Sequence, residues 1–215
     1  MDACLSGDPG SRLERAGATV TSAFERCRAL PQVGPRDPEA VRDGIGGLLR
    51  TVELFGSEPR RSVLPIAVDP VAGRCQQAVA VGAANLTRAR LASFQACFGD
   101  VLRRRADPQV EDLRACLEAD PDGRILRAAR VAEDRAARAC RGGDLTRAFR
   151  SGCRGTTVGE ILDCVRAEAQ CGVCLGLDRA MGLGASCESV TGLAPATMCR
   201  ARVSDPHSVA RQWDE

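Results

Sequence analysis

Residues 74 to 105 read RCQQAVAVGAANLTRARLASFQACFGDVLRRR, and residues 116 to 140 read CLEADPDGRILRAARVAEDRAARAC. In the first stretch Cys75, Val79, Gly82, Leu86, Ala89 and Cys97 fall close to one stripe at the three-to-four spacing of a helix face. In the second, Ile125, Ala129, Ala132, Ala136 and Cys140 do the same, behind Asp120 as N-cap and Pro121 as first helical residue. Cys75 and Cys97 return to nearly the same face yet lie about 33 Å apart along a helix axis, whereas the Cα atoms of bridged cysteines sit within about 7 Å. Each needs a partner on another element. A second helix over about 121 to 140, folded back antiparallel, brings Cys140 beside Cys75, and Cys116, just ahead of that helix, beside Cys97. The expected fold is therefore all-α: disulfide-stapled antiparallel helical hairpins followed by a Cys-rich helical segment.

The second stretch has an echo near the start of the chain. Residues 4 to 27 read CLSGDPGSRLERAGATVTSAFERC, and with one residue gapped both cysteines, the Leu, the Asp-Pro, the Gly and a later Leu coincide with 116 to 140. Asp8 and Pro9 then start a helix whose stripe is Leu13, Ala16, Val20, Phe24 and Cys27. Further on, GLLRTVELFG at 47 to 56 lies on DCVRAEAQCG at 163 to 172, with Leu48 standing for Cys164 and Phe55 for Cys171. The chain accordingly reads as about one and a half repeat units. Residues 1–56 are a degenerate partial unit, and 57–71 a linker marked by Pro59, Pro65 and Pro70. Residues 72–199 are a full unit, with a hairpin over 72–140 and a Cys-rich segment over 141–199, and 200–215 form a tail. Within the Cys-rich segment Thr157 and Glu160 make a T-x-x-E capping box. It starts a helix of about 157 to 170 with Ile161, Leu162 and Val165 inward, and a short helix around 174 to 182 follows.

The 215 residues are 44% hydrophobic, enough to bury a core in one domain or two small ones. With five Phe, one Trp and no Tyr, that core is built from small side chains, each burying little area at roughly 25 cal/mol per Å². The twelve cysteines supply another staple: Cys4, Cys27, Cys75, Cys97, Cys116, Cys140, Cys153, Cys164, Cys171, Cys174, Cys187 and Cys199. An even number spread along the chain fits disulfides in an oxidising compartment. The N-terminal MDACLSGDPG carries acid where a secretion signal carries base, so the expectation is an extracellular or periplasmic protein whose export signal is not present in this chain.

Every basic side chain is arginine, and 30 basic against 28 acidic residues leave almost no net field. Arg103, Arg104 and Arg105, the only dense basic cluster besides Arg60 and Arg61, read as a solvated helix end, because nucleic-acid binding needs a basic surplus on one face. No run approaches the roughly 20 apolar residues of a membrane span. The expected partner is thus another protein or a surface, with neither nucleic acid nor a membrane span.

Chemistry has few places to sit. Cys171-Gly-Val-Cys174 has the spacing of a redox C-x-x-C, but such pairs stand at a helix N-terminus behind a strand, a context this chain lacks. Cys171, Cys174, Cys187 and Cys199 offer four thiolates for zinc, although the second half is C-x11-C and the only histidine, His207, lies in the tail. Structural disulfides within Cys153, Cys164, Cys171, Cys174, Cys187 and Cys199 are the preferred reading of this segment, with their pairing and that of Cys4 and Cys27 left open. The first copy lacks counterparts of Cys153, Cys164, Cys171 and Cys174 together, which suits a closed set. A calcium loop over Glu118, Asp120, Asp122 and Gly123 fails at its twelfth position, Ala129, where a bidentate Glu is required. Asn85-Leu86-Thr87 is a sequon placed mid-helix. No cofactor is expected, and no catalytic activity. The competing expectations are a thiol-disulfide oxidoreductase using Cys171 and Cys174 and, for a cytosolic chain, a zinc module.

The segments CQQAV, LASFQAC, DPDGRILRA, ARAC and CVRAEAQCGVC resemble an uncharacterised family of cysteine-rich helical repeat proteins, seen mainly among predicted extracellular proteins of environmental and deltaproteobacterial-type bacteria. The resemblance covers residues 74 to 187, with Arg where the relatives often carry Lys. It implies architecture and export and carries no activity. ATMCRARV at 196 to 203 would be the stub of a next unit.

Overall fold

The computed structural model describes residues 12–26, 38–39, 41, 54–55, 62–104 and 110–181. These form six helices, α1 (Arg12–Arg26), α2 (Pro70–Arg104), α3 (Val110–Ala119), α4 (Arg124–Ala139), α5 (Leu145–Ala148) and α6 (Val158–Met181), with no strand among the described residues. The class is all-α. The chain divides into two compact units, one holding α1 and the end of α6 from Leu175, the other holding α2 to α5 and α6 as far as Cys174.

In the first unit, α1 lies where the echo of the hairpin sequence places a helix, but its face is turned. Ala16 is exposed, while Gly17 is buried and Val20, Thr21 and Phe24 are half-buried. Val20 and Phe24 of the expected stripe thus face inward, and Gly17 does so in place of Ala16. Cys27, at the end of the expected stripe, lies outside the described residues, and so do Asp8 and Pro9.

The second unit is built on α2. Asp69 caps it, its Oδ1 accepting from the Ala72 amide at 3.0 Å, and Pro70 takes the first position, where a missing N–H costs nothing. Helix α4 runs back along α2 and buries Ala132, Ala136 and the following Cys140 against Cys75, Val79, Ala83 and Leu86. The two helices meet closely at Gly82, where an added Cβ would stand 2.9 Å from the Ala132 Cβ. The far end of α2 meets α3 instead, through Phe94, Cys97 and Leu113. The other side of the core is closed by Ala148 and Phe149, by Cys153, and by Ile161, Leu162, Val165 and Ala169 of α6. Leu54 joins this core, and Phe55 stacks on Phe149 with ring centroids 6.2 Å apart.

Three expectations need correction. The return arm of the hairpin is broken: α4 has 16 residues against 35 in α2, and Cys116 sits inside a helix of its own rather than in a loop. Asp120-Pro121 does not start α4 but fills the turn between α3 and α4, where the Gly123 amide donates to the Asp120 carbonyl at 2.6 Å. Proline suits the second position of such a turn, and Gly123 takes the left-handed φ of 61° before the helix begins. The Asp120 carboxylate still serves the helix end, reaching over the turn to the amide of Leu126 at 3.1 Å. Finally, the two helices expected around 157 to 170 and 174 to 182 are one, since Gly172 is buried and does not interrupt α6. Burial of Val173, Cys174 and Leu177 offsets the roughly 1 kcal/mol that glycine costs in a helix.

Candidate functional site: the bridged hairpin and its outer groove

Cys75 and Cys97, at opposite ends of α2, are each 1% exposed. Cys75 is bonded to Cys140, directly after α4, with Cα atoms 4.5 Å apart. Cys97 is bonded to Cys116 of α3 at 5.7 Å. Both bridges close the hairpin where its antiparallel register asks for them. A third bond, Cys153 to Cys164, ties the segment ahead of α6 to the second turn of that helix, 5.4 Å between Cα atoms. Directly ahead of that turn, Thr157 accepts the Glu160 amide at 3.2 Å, and the Glu160 carboxylate accepts the amides of Thr156 at 2.7 Å and Thr157 at 3.2 Å. Those amide bonds, with the Thr156 hydroxyl, hold the Glu160 carboxyl below its ordinary pKa.

Cys171 and Cys174 stand well inside α6 and are both disulfide-bonded. A thiol is activated by the free amides of a helix N-terminus, which this position does not offer. A disulfide sulfur is also no thiolate ligand. Cys187, Cys199 and His207 lie outside the described residues, as does Cys4, and among the described residues no group of His, Cys, Asp and Glu is arranged to hold a metal ion. The acids of the calcium-like stretch face protein donors: Glu118 pairs with Arg114 at 3.8 Å, Asp122 with Arg124 at 2.7 Å, and Asp120 caps α4. At the end of α2, Arg103 and Arg104 both approach Asp100, at 3.9 and 2.8 Å.

One residue that organises the unit escapes a search for chemistry. Gln76, 2% exposed, donates through Nε2 to the carbonyls of Ser62 at 2.8 Å and Ala148 at 2.6 Å, and its Oε1 accepts the Leu64 amide at 2.7 Å. A single amide side chain thus ties the segment ahead of α2, and the end of α5, to the main helix. The signal was present in CQQAV, where a glutamine follows Cys75 on a face otherwise made of small apolar groups. The half-buried Arg90 donates to the buried Gln170 of α6 at 3.3 Å, and desolvation lowers its pKa against the opposing charge of Asp120.

On the outer face of the hairpin, Arg74, Gln77, Ala78 and Val81 of α2 and Arg135, Arg138 and Ala139 of α4 line an open groove of about 420 Å³. None of its three arginines forms an ion pair or side-chain hydrogen bond among the described residues, and all three are exposed. Val81 at its floor is 41% exposed, and Val131, one turn before Arg135, is 45% exposed. Among the described residues no helix is long and apolar enough to cross a membrane.

Comparison with known proteins finds no matching family, no similar curated protein and no similar solved structure.

Proposed function

We propose that this chain is an exported, extracellular or periplasmic module of structural or binding character, without catalytic activity, belonging to the cysteine-rich helical repeat proteins its motifs resemble. The observation that carries this reading is the placement of the bridges. Two of them pin the hairpin at its two ends, and a third pins the start of α6 to the segment ahead of it. Bonds in those places do what a core of Ala, Val and Leu does weakly: they hold helices in register in a compartment that keeps cysteine oxidised. The mid-helix position of Cys171 and Cys174 favours a structural role for them over a thiol-disulfide oxidoreductase. The repeat reading, one full unit after a degenerate partial one, fits the same purpose, since stacked helical units offer extended faces to partners.

The test is a pair of measurements on the full chain purified without reductant. Mass spectrometry of an unreduced digest is expected to recover Cys75 with Cys140, Cys97 with Cys116 and Cys153 with Cys164. Equilibration against glutathione is expected to leave these bonds oxidised, as for structural disulfides with potentials below about −300 mV. A Cys171 or Cys174 bond that equilibrates in the range of known oxidoreductases, about −270 to −120 mV, would overturn the non-catalytic reading in favour of redox catalysis. A chain isolated fully reduced with bound zinc would overturn it in favour of a metal module.

A further inference from the structure

The groove on the outer face of the hairpin gathers three exposed arginines, Arg74, Arg135 and Arg138, that make no ion pair among the described residues. Several acids of this unit are taken up by arginines elsewhere: Asp69 by Arg147, Asp100 by Arg104, Asp163 and Glu133 by Arg166. In the groove three guanidinium groups converge with no carboxylate among the lining residues. Asp134, next in sequence to Arg135, is exposed and makes no ion pair among the described residues. Over the whole chain the charges nearly cancel, at 30 basic and 28 acidic residues, so the surplus is local. Like charges gathered on one face repel, and an arrangement that costs stability in the free chain is relieved by a partner of opposite sign.

The floor decides which anion fits. Ala78, Val81 and Ala139 are apolar, and Val131 extends the apolar strip. A free phosphate has nothing to place on such a floor, and a single-stranded nucleic acid wants aromatic side chains to stack on, of which the groove lining has none. Two antiparallel helices with small residues along their seam form the trough into which a third helix lays its apolar face. Guanidinium groups on both rims then meet carboxylates on the flanks of that helix, and arginine suits this geometry because its planar fork donates to carboxylate oxygens in pairs. We infer that the α2–α4 groove docks an acidic amphipathic helix of a partner protein, with Arg74, Arg135 and Arg138 reading its carboxylates. This rests on the reading of the chain as a binding module and names the chemistry of its partner.

The experiment uses the full oxidised chain and a fluorescein-labelled 18-residue peptide of Leu, Ala and Glu, with its glutamates flanking an apolar stripe. Fluorescence anisotropy is expected to show saturable binding, weakened at least about tenfold when every Glu is replaced by Gln, or in the chain carrying Arg135→Glu and Arg138→Glu. Arg103→Glu with Arg104→Glu, at the other end of α2, is expected to leave the affinity unchanged. Arg135→Gln with Arg138→Gln gives a milder second variant, and circular dichroism verifies that each variant is folded. Absence of binding overturns the inference, and so does equal weakening by the two charge-reversed pairs. Duplex DNA or heparin bound more tightly than the peptide through the same arginines also overturns it, replacing the protein partner by a polyanion. The module reading fails separately, by catalytic turnover of a dithiol substrate, whatever the groove does.

Discussion

Gly82 of α2 and Ala132 of α4 leave no room for one methyl group between them: a Cβ on Gly82 would stand 2.9 Å from that of Ala132. The contact lies between the two bridges, so it sets how closely the helices approach along the middle of the hairpin. Gly82→Val is expected to destabilise the chain by about 1–3 kcal/mol in denaturant unfolding, the usual cost of overpacking. Gly82→Ala combined with Ala132→Gly moves the methyl across the seam and should recover part of the loss seen for Gly82→Ala alone. Additive single and double effects would show that the two positions do not share the contact.

Removal of the bridges should follow loop length. Cys75 and Cys140 are separated by 65 residues, Cys97 and Cys116 by 19. Loop-closure entropy alone gives about 4 kcal/mol for the first and about 3 kcal/mol for the second. Paired Cys→Ala variants compared by chemical unfolding check the order. A larger loss at the shorter loop would mean that packing around Cys97 and Cys116, rather than chain entropy, sets the stability of that end.

Gln76→Leu keeps the volume of the side chain and removes its three hydrogen bonds. The carbonyls of Ser62 and Ala148 and the Leu64 amide then lose their partner, and the expected cost is about 3 kcal/mol. Hydrogen exchange should show the segment 62–69 opening before α2 does. Uniform loss of protection over the whole unit would argue against a local clamp.

The cap of α6 carries a pH dependence with a definite sign. Because amide bonds hold the Glu160 carboxyl below its ordinary value, its contribution is fully present above the unfolded pKa of about 4.3 and is lost as pH falls through the lower folded value. The Tm of the parent should exceed that of Glu160→Gln at neutral pH, with the gap narrowing below pH 4. Asp144, whose carboxyl is lowered by the Thr146 hydroxyl and the Arg147 amide, should act in the same direction at α5. A gap that stays constant down to pH 2 would contradict the assignment. Thr157→Ala, which removes the other half of the box, should cost about 1 kcal/mol at any pH.

The parts of this architecture that sequence exposes are those governed by fixed spacings. Helix rise and periodicity make Cys75 and Cys97 unable to meet and give Ala132, Ala136 and Cys140 one face, and the capping box at Thr157 and Glu160 is a local pattern of four residues. Asp-Pro is ambiguous in the same terms. At Asp69-Pro70 it caps a helix, and at Asp120-Pro121, just after α3 has ended, it forms the turn, because what precedes the pair decides which end of a helix it meets. Gly17 and Gly172 are both buried, and a stripe read from apolar side chains does not register a glycine. Gln76 and the outer groove depend on residues as distant as 62 and 148, or 74 and 138, which no local pattern brings together.

The two bridges at opposite ends of α2 also restrict what kind of motion the hairpin retains. Neighbouring helices commonly slide past one another by a turn, about 5.4 Å, or splay from a free end. Cys75–Cys140 bolts α4 to one end of α2, and Cys97–Cys116 bolts the other end of α2 to α3, which a tight turn joins to α4, so both motions are resisted and the outer face is held like a ruler. For the docking inferred above, selectivity would come from matching a preset interval rather than from moulding around whatever arrives.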